Sequence, residues 1–160
     1  MSRIWKPSVT VAAVVEREGR FLLVEEHTEE GLRINQPAGH LDPGETLEQA
    51  VAREALEETA HPFKATALLG VYVWRRPMPA RATTYLRFAF VGELGEAVAG
   101  RPLDHGIVRT LWLSPQELAQ RSAQWRSPLV ARCIDDYLRG QRYPLDVLYT
   151  HPAAPVTGFA

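Results

Sequence analysis

A second cysteine is missing from this chain. Cys133 stands alone, so no disulfide can close within it. Set in the apolar stretch "SPLVARCIDDYL", it reads as a core residue, and a reducing, cytoplasmic setting is expected. Long apolar runs are also missing, since no stretch reaches the roughly 18 residues of a membrane span. The first residues, "MSRIWKPSVTVAAVV", lack a small-residue cleavage site after their apolar part and read as a strand rather than a signal peptide. A charge excess is absent too. Lys and Arg number 18, Asp and Glu 19, and the net charge is −1. Such a balance gives no field to steer the protein onto nucleic acid or a membrane surface. It leaves a small anionic molecule open as partner, because a bound metal ion reverses the local sign. There is no internal repeat and no low-complexity segment.

What is present suits one globular domain. The chain has 160 residues, 46% of them hydrophobic and 23% charged. A single domain is expected over residues 1–150, with 151–160 a loose tail. "SVTVAAVVER" and "RFLLVEE" read as a β-hairpin turning at Glu18-Gly19. "HTEEGLRINQPAGHLDPGE" is polar and punctuated by Gly and Pro, and reads as a long connection. A helix follows from about Leu47 to Thr59, capped by Thr46 with Gln49 and closed by Pro62. "ATALLGVYVWRR" and "TTYLRFAFVGEL" are two longer strands joined by "RPMPAR". "TLWL" is a short strand. "SPQEL" and "SPLVARCIDDYLRG" each start a helix with Ser as cap and Pro behind it, and Gly140 stops the second. Strands dominate early and helices late, which predicts an α+β or layered α/β/α domain with a mixed sheet.

The chemistry gathers in "REALEETA", Arg53 to Ala60. At about 100° per residue, Glu57 and Glu58 fall within about 60° of Glu54 on a helical wheel. Leu47, Ala50 and Val51 fall in the same sector, so the acids continue the apolar stripe instead of facing away from it. Three like charges on one face repel each other. One reading is an exposed helix end whose acids pair with Arg53 or other bases. The other is a divalent-cation site, since Mg²⁺ takes a few carboxylates and keeps positions for water and phosphate oxygens. Such a site stabilises a pyrophosphate and activates water for attack on phosphorus.

Upstream spacing extends the pattern. Gly39, five residues, Glu45, seven residues and then "REALEETA" match GX5EX7REUXEEXGU, with U a bulky apolar residue. On these residues the chain resembles the Nudix hydrolase family. The departures are Ala60 for the final Gly, His61 for an apolar residue, and a small Ala55. The resemblance implies a mixed sheet between helices and a hydrolase of diphosphate bonds that uses Mg²⁺ or Mn²⁺. It implies Glu57 and Glu58 as main metal ligands, Glu54 as a further ligand or the base, and the Gly39 carbonyl in the coordination. Arg53 and Glu45 would pair and hold the loop against the helix, with Arg53 counted among the catalytic group as support for it. An acid from a later loop acts in many members, and Asp104 is the candidate here; a turn-forming surface Asp is the equal alternative.

Stretches in and beyond the box narrow this further. "NQPAGHLDPGETL", "LRFAF", "RSPLVA" and "GQRYPL" resemble one phosphatase branch of that family. That likeness implies release of phosphate from hydroxymethylpyrimidine diphosphate, thiamine diphosphate and nucleoside di- and triphosphates. Ile34 departs from it, standing where an aromatic residue precedes "NQPAGH". A general nucleotide-pool pyrophosphatase and a non-hydrolysing nucleotide-binding module are the rival readings; the intact set of box acids favours an enzyme. For the substrate's organic part, Trp74 offers an aromatic plane, Asn35 and Gln36 offer amides, and Arg87 offers a cation. Each also has a plain structural reading: packing for Trp74, loop hydrogen bonds for the amides, solvent for Arg87. Trp112 reads as core, and Trp125 as a pocket wall or packing beneath the last helix. A monomer or a homodimer is expected.

Overall fold

The computed structural model describes residues 4–77 and 82–152. Most of the "RPMPAR" connection and most of the tail lie outside the described residues. The described residues form eight strands: β1 (Ser8–Val14), β2 (Glu16–Arg17), β3 (Arg20–Thr28), β4 (Gly31–Asn35), β5 (Ala38–His40), β6 (Phe63–Arg76), β7 (Thr83–Leu94) and β8 (Ile107–Leu113). The α-helices are α1 (Leu47–Thr59), α2 (Pro115–Gln120) and α3 (Leu129–Leu138). The layered α+β architecture with a mixed sheet is therefore present, but the strands divide into two four-stranded sheets. One runs β5-β1-β7-β6, with β1 parallel to β7 and the other pairs antiparallel. In the other, β3 pairs with β2, β4 and β8, all antiparallel.

The hairpin turns at Glu18-Gly19, both at positive φ (52° and 77°), the backbone that a tight two-residue turn requires. The run before it is broken at Val15, so β1 belongs to one sheet and β2 to the other. The polar segment after β3 is not a plain connection. It supplies the short strands β4 and β5, which pair with β3 and β1.

Strand β1 is buried on both faces, as a continuous Val/Ala run allows. Val11 and Ala13 pack with Ala50, Val51 and Ala55 of α1. Ala12 and Val14 face the other way, into a core with Val130, Cys133 and Ile134 of α3. Cys133 is thus a core residue. Trp125 packs partly buried against this core and donates its indole N–H to the Leu118 carbonyl at 3.0 Å. Trp112 is only partly buried at the edge of the α1 core, under the Arg17 guanidinium.

The helix ends follow their capping residues. Thr46 and Gln49 form the reciprocal capping box of α1, and Ser114 and Glu117 that of α2. The third start is offset by one residue. Helix α3 begins at Leu129 with Pro128 in the cap position, although the Ser127 hydroxyl still accepts the Leu129 N–H at 3.2 Å. Among the described residues no helix is long and apolar enough to cross a membrane.

Candidate active site

Two features meet across β5: an acidic face of α1 on one side and a cavity on the other. The capping box fixes where α1 begins, and its apolar residues fix its roll against β1. That roll turns Glu54 and Glu58, both buried, toward the chain just before the helix. The Glu58 carboxylate accepts the Ala38 N–H at 2.9 Å. Glu54 lies against Gly39, where an added Cβ would stand 2.1 Å from the Glu54 carboxyl carbon. Only a residue without a side chain admits that contact. Glu57, on the same face, is more exposed.

Arg53 ties the preceding loop to the helix. Its Nε donates to Glu45 Oε1 at 2.6 Å and its Nη2 to Glu45 Oε2 at 3.1 Å, with a further bond from Nη2 to the His40 carbonyl at 2.9 Å. The Asp42 N–H completes the Glu45 contacts at 3.1 Å. These bonds hold the Glu45 carboxyl below its ordinary range, Arg53 being the main cause. The pairing of Arg53 with Glu45 is as the resemblance implies. Arg53 does more than that, because its Nη1 also donates to Glu54 Oε1 at 2.8 Å and to Glu57 Oε2 at 3.1 Å. Its place beside Glu45 as support is thus joined by direct pairing with two of the acids. Glu54 and Glu57 stand one and four residues after it on the helix, and a guanidinium carries five N–H donors, enough to serve three carboxylates and a carbonyl.

Among the described residues Glu58 has no such cation. Burial pushes its carboxyl up to about 8; the Ala38 N–H opposes this, and the charges of Glu54, Glu26 and Asp104 add to it. Burial also raises the Glu54 carboxyl, against the pull of Arg53. Asp104 arrives from the loop before β8. Its N–H donates to the Glu57 carbonyl at 2.8 Å, which fastens that loop to the end of α1. Its carboxylate accepts the His105 N–H at 2.8 Å. Helix α1 ends on Ala60 in the left-handed region (φ 60°, ψ 12°), the conformation that the missing glycine would adopt at less cost.

Among the described residues no three His, Cys, Asp or Glu side chains converge as a finished metal cage. The donor set still suits a hard divalent cation. Three carboxylates share one helical face, two are buried, and one lacks a basic partner among the described residues. Mg²⁺ asks for few carboxylates, keeping waters and substrate oxygens for the rest.

The cavity behind β5 has a volume of about 220 Å³. Gly39 and Val11 are register partners, as are His40 and Thr10, so side chains along β5 alternate between α1 and the cavity. Trp74 lines it and stacks on its register partner Tyr85, with ring centroids 5.8 Å apart and planes 17° from parallel. Asn35 and Arg87 also line it. Arg87 is buried instead of reaching solvent. Its Nη1 donates to Gln36 Oε1 at 3.1 Å and its Nη2 to Asn35 Oδ1 at 3.2 Å. Gln36 does not face the cavity. It is buried and donates its amide N–H to the Val130 carbonyl at 2.8 Å, linking Arg87 to α3. Ile34 is fully buried in the α3 core, which rules out base stacking there.

Sequence reasoning passed over Glu26, Tyr85 and Arg126, which also line this cavity. For Glu26 a signal was available: "VEE" places acids at the end of an otherwise apolar strand. Burial raises the Glu26 carboxyl, while Arg126 and Arg87 pull it down. Arg126 and Tyr85 gave no signal, since their placement depends on tertiary register.

Comparison with known proteins agrees with this geometry. A family profile described as "NUDIX domain" matches residues 5–133. The chain is 43% identical over 145 residues, 91% of its length and 92% of the relative's, to the protein named Phosphatase NudJ of Escherichia coli strain K12. The Shigella flexneri protein of that name matches equally. Among solved structures, a NUDIX hydrolase from Nitrosomonas europaea superposes with a TM-score of 0.86 at 49% identity, covering 91% of this chain and 98% of that one. A UDP-X diphosphatase, at 19% identity and a TM-score of 0.65 over 89% of this chain and 68% of that one, shares the fold.

Proposed function

The chain belongs to the NUDIX domain family as a hydrolase of phosphoric anhydrides, and from that premise we propose that it releases phosphate from hydroxymethylpyrimidine diphosphate, thiamine diphosphate and nucleoside di- and triphosphates, using Mg²⁺ or, in its place, Mn²⁺. The observation that carries this reading is the shared wall β5, with buried glutamates against one side and an aromatic cavity against the other. A heterocycle with a short phosphate chain has the two kinds of surface that such a partition serves. The relatives' name, Phosphatase NudJ, supports phosphate as the group released.

Glu57 and Glu58 would be the main ligands, with Glu54 and the Gly39 carbonyl beside them. The cation, when bound, neutralises phosphate oxygens and acidifies water. The protein's own residues do the remaining work. Arg53 and Glu45 fix the loop so that Gly39 and Glu54 stay in register. Trp74 offers a plane to the heterocycle, and Asn35 is held in the cavity wall by Arg87. The proton of the attacking water passes to Glu54 or Asp104. Electrostatic positioning of this kind is the main protein contribution to transfer at phosphorus. The active unit is residues 1–150 as one domain.

A broad nucleotide preference is the second reading. The stacked pair Trp74 and Tyr85 favours it, since an aromatic plane accepts any base. Incubation of the protein with each diphosphate and with GTP and GDP, in Mg²⁺, separates the two by kcat/KM. Detecting phosphate and pyrophosphate separately identifies the leaving group. Glu57→Gln and Glu58→Gln each keep side-chain shape, and each is expected to lower phosphate release on the order of 10²-fold or more. Unchanged turnover in both variants would sink the assignment of these residues.

A further inference from the structure

The wall of the cavity contains one acid that the reaction outlined above does not use. Glu26 comes from the end of β3, where the pairing with β8 slips by one residue between Glu25 and Glu26. Such irregularities aim side chains beside functional sites. Glu25 is buried and paired with Arg109 at 2.9 Å, whereas Glu26 lines the cavity together with Asn35, Trp74, Arg76, Arg87 and Arg126. Among the described residues, Oε1 of Glu26 is a buried side-chain oxygen with no hydrogen-bond partner.

Two guanidinium groups stand close to it and neither satisfies it. Arg126 Nε lies 3.3 Å from Oε1, within ion-pair range but not aligned as a hydrogen bond. Arg87 commits Nη1 to Gln36 and Nη2 to Asn35. A buried acceptor left without a donor is costly, and a donor that arrives with a ligand recovers that cost. The carboxylate accepts only, so it repels phosphate and welcomes N–H. The phosphate chain belongs beside the α1 glutamates that would hold the cation, which leaves the cavity, with Trp74 and Glu26 in its wall, to the organic part of the substrate. The aromatic plane of Trp74 takes any flat ring, which leaves the choice among rings to the polar groups at their edges.

We propose that Glu26 is a specificity-determining residue, accepting a hydrogen bond from an exocyclic amine of the substrate's heterocycle and disfavouring a ring with a carbonyl at that position. This rests on the reading of the chain as a hydrolase of heterocyclic di- and triphosphates. It deepens that reading by naming the edge that the cavity selects. Cytosine carries such an amine where uracil carries a carbonyl, and a glutamate accepts from the cytosine amine.

The test compares kcat/KM for CTP and UTP, which share sugar and phosphates, in wild type, Glu26→Gln and Glu26→Ala, with melting curves for each and an Mg²⁺ titration. Wild type is expected to prefer CTP on the order of tenfold, the worth of one hydrogen bond to a charged group. In both variants the ratio falls towards one, through a higher KM for CTP. Should these variants not fold, Glu26→Asp keeps the charge, withdraws it by one methylene and must also lower the ratio. Wild-type hydrolysis of CTP and UTP at equal kcat/KM overturns the inference while leaving the hydrolase reading intact. So does a ratio that survives in folded Glu26→Gln. A variant that raises the Mg²⁺ requirement equally for both nucleotides also overturns it, by assigning Glu26 to the cation instead. Hydrolysis of neither nucleotide, nor of the diphosphates, by folded wild type overturns the substrate reading beneath it.

Discussion

Gly39 and Glu54 approach so closely that a methyl group on the first would stand 2.1 Å from the carboxyl carbon of the second. Strand β5 is held by its pairing with β1, and α1 is held by its core face, so neither backbone can yield. Gly39→Ala must then swing Glu54 away from β5. Activity is expected to fall on the order of 10²-fold, the cost of a displacement near 1 Å at a reacting centre. The Mg²⁺ concentration for half-maximal rate should rise with it. A variant that folds and keeps wild-type kcat and Mg²⁺ dependence would show that Glu54 is free to move without consequence.

Arg53 distributes one guanidinium among Glu45, Glu54, Glu57 and the His40 carbonyl. Lysine keeps the charge but offers a single ammonium in place of the planar fork. Arg53→Lys is expected to lower kcat about tenfold while changing KM for nucleotide little, because the lost bonds hold the acidic face and not the cavity. Steady-state kinetics in saturating Mg²⁺ reads this directly. A loss confined to KM would place the Arg53 contribution in substrate binding instead.

Glu58 links the site to pH. Its carboxyl is pushed up to about 8 from an ordinary 4.5, so the folded protein retains a proton that the unfolded chain releases. The stability from this group is complete below about 4.5 and is lost as pH rises towards 8. With a chelator present, the melting temperature should decline across that window, and Glu58→Gln should flatten the decline. Added Mg²⁺ should restore stability at the alkaline end, since it binds the ionised form. Identical pH profiles for wild type and Glu58→Gln in chelator would refute the burial argument.

Ala60 holds a left-handed conformation at the end of α1, with φ of 60°. A non-glycine residue there is strained by roughly 1–2 kcal/mol. The Ala60 methyl is buried, and losing it returns part of that gain, about 0.8 kcal/mol. Ala60→Gly is expected to stabilise the protein by about 0.5–1 kcal/mol, a rise of a few degrees in Tm for a chain of this size. Thermal unfolding followed by circular dichroism decides it, and a lower Tm would mean that the methyl outweighs the strain.

The parts that could be read in the sequence were those set by local rules. Thr46 and Gln49 announced the start of α1, and the Glu54, Glu57 and Glu58 spacing announced its acidic face. The hairpin at Glu18-Gly19 was equally local. What escaped was set by pairing across the chain. Strands β4 and β5 lie in a segment full of Gly and Pro, and their order comes from β3 and β1. Arg87 alternates with apolar neighbours, as a solvent-facing residue would. It is buried because Asn35 and Gln36, some fifty residues earlier, supply acceptors. Glu26 sits on a register slip that no spacing rule reveals.

The burial of β1 on both faces has a consequence for how damage spreads. Val11 and Ala13 rest on the helix that carries the glutamates, and Ala12 and Val14 rest on the layer that backs the cavity. Neighbouring positions on one strand therefore answer to different halves of the molecule. An enlarged side chain at Ala13 would be transmitted to the acids, and one at Ala12 to the aromatic chamber. Adjacent core residues thus divide between turnover and recognition according to odd or even position.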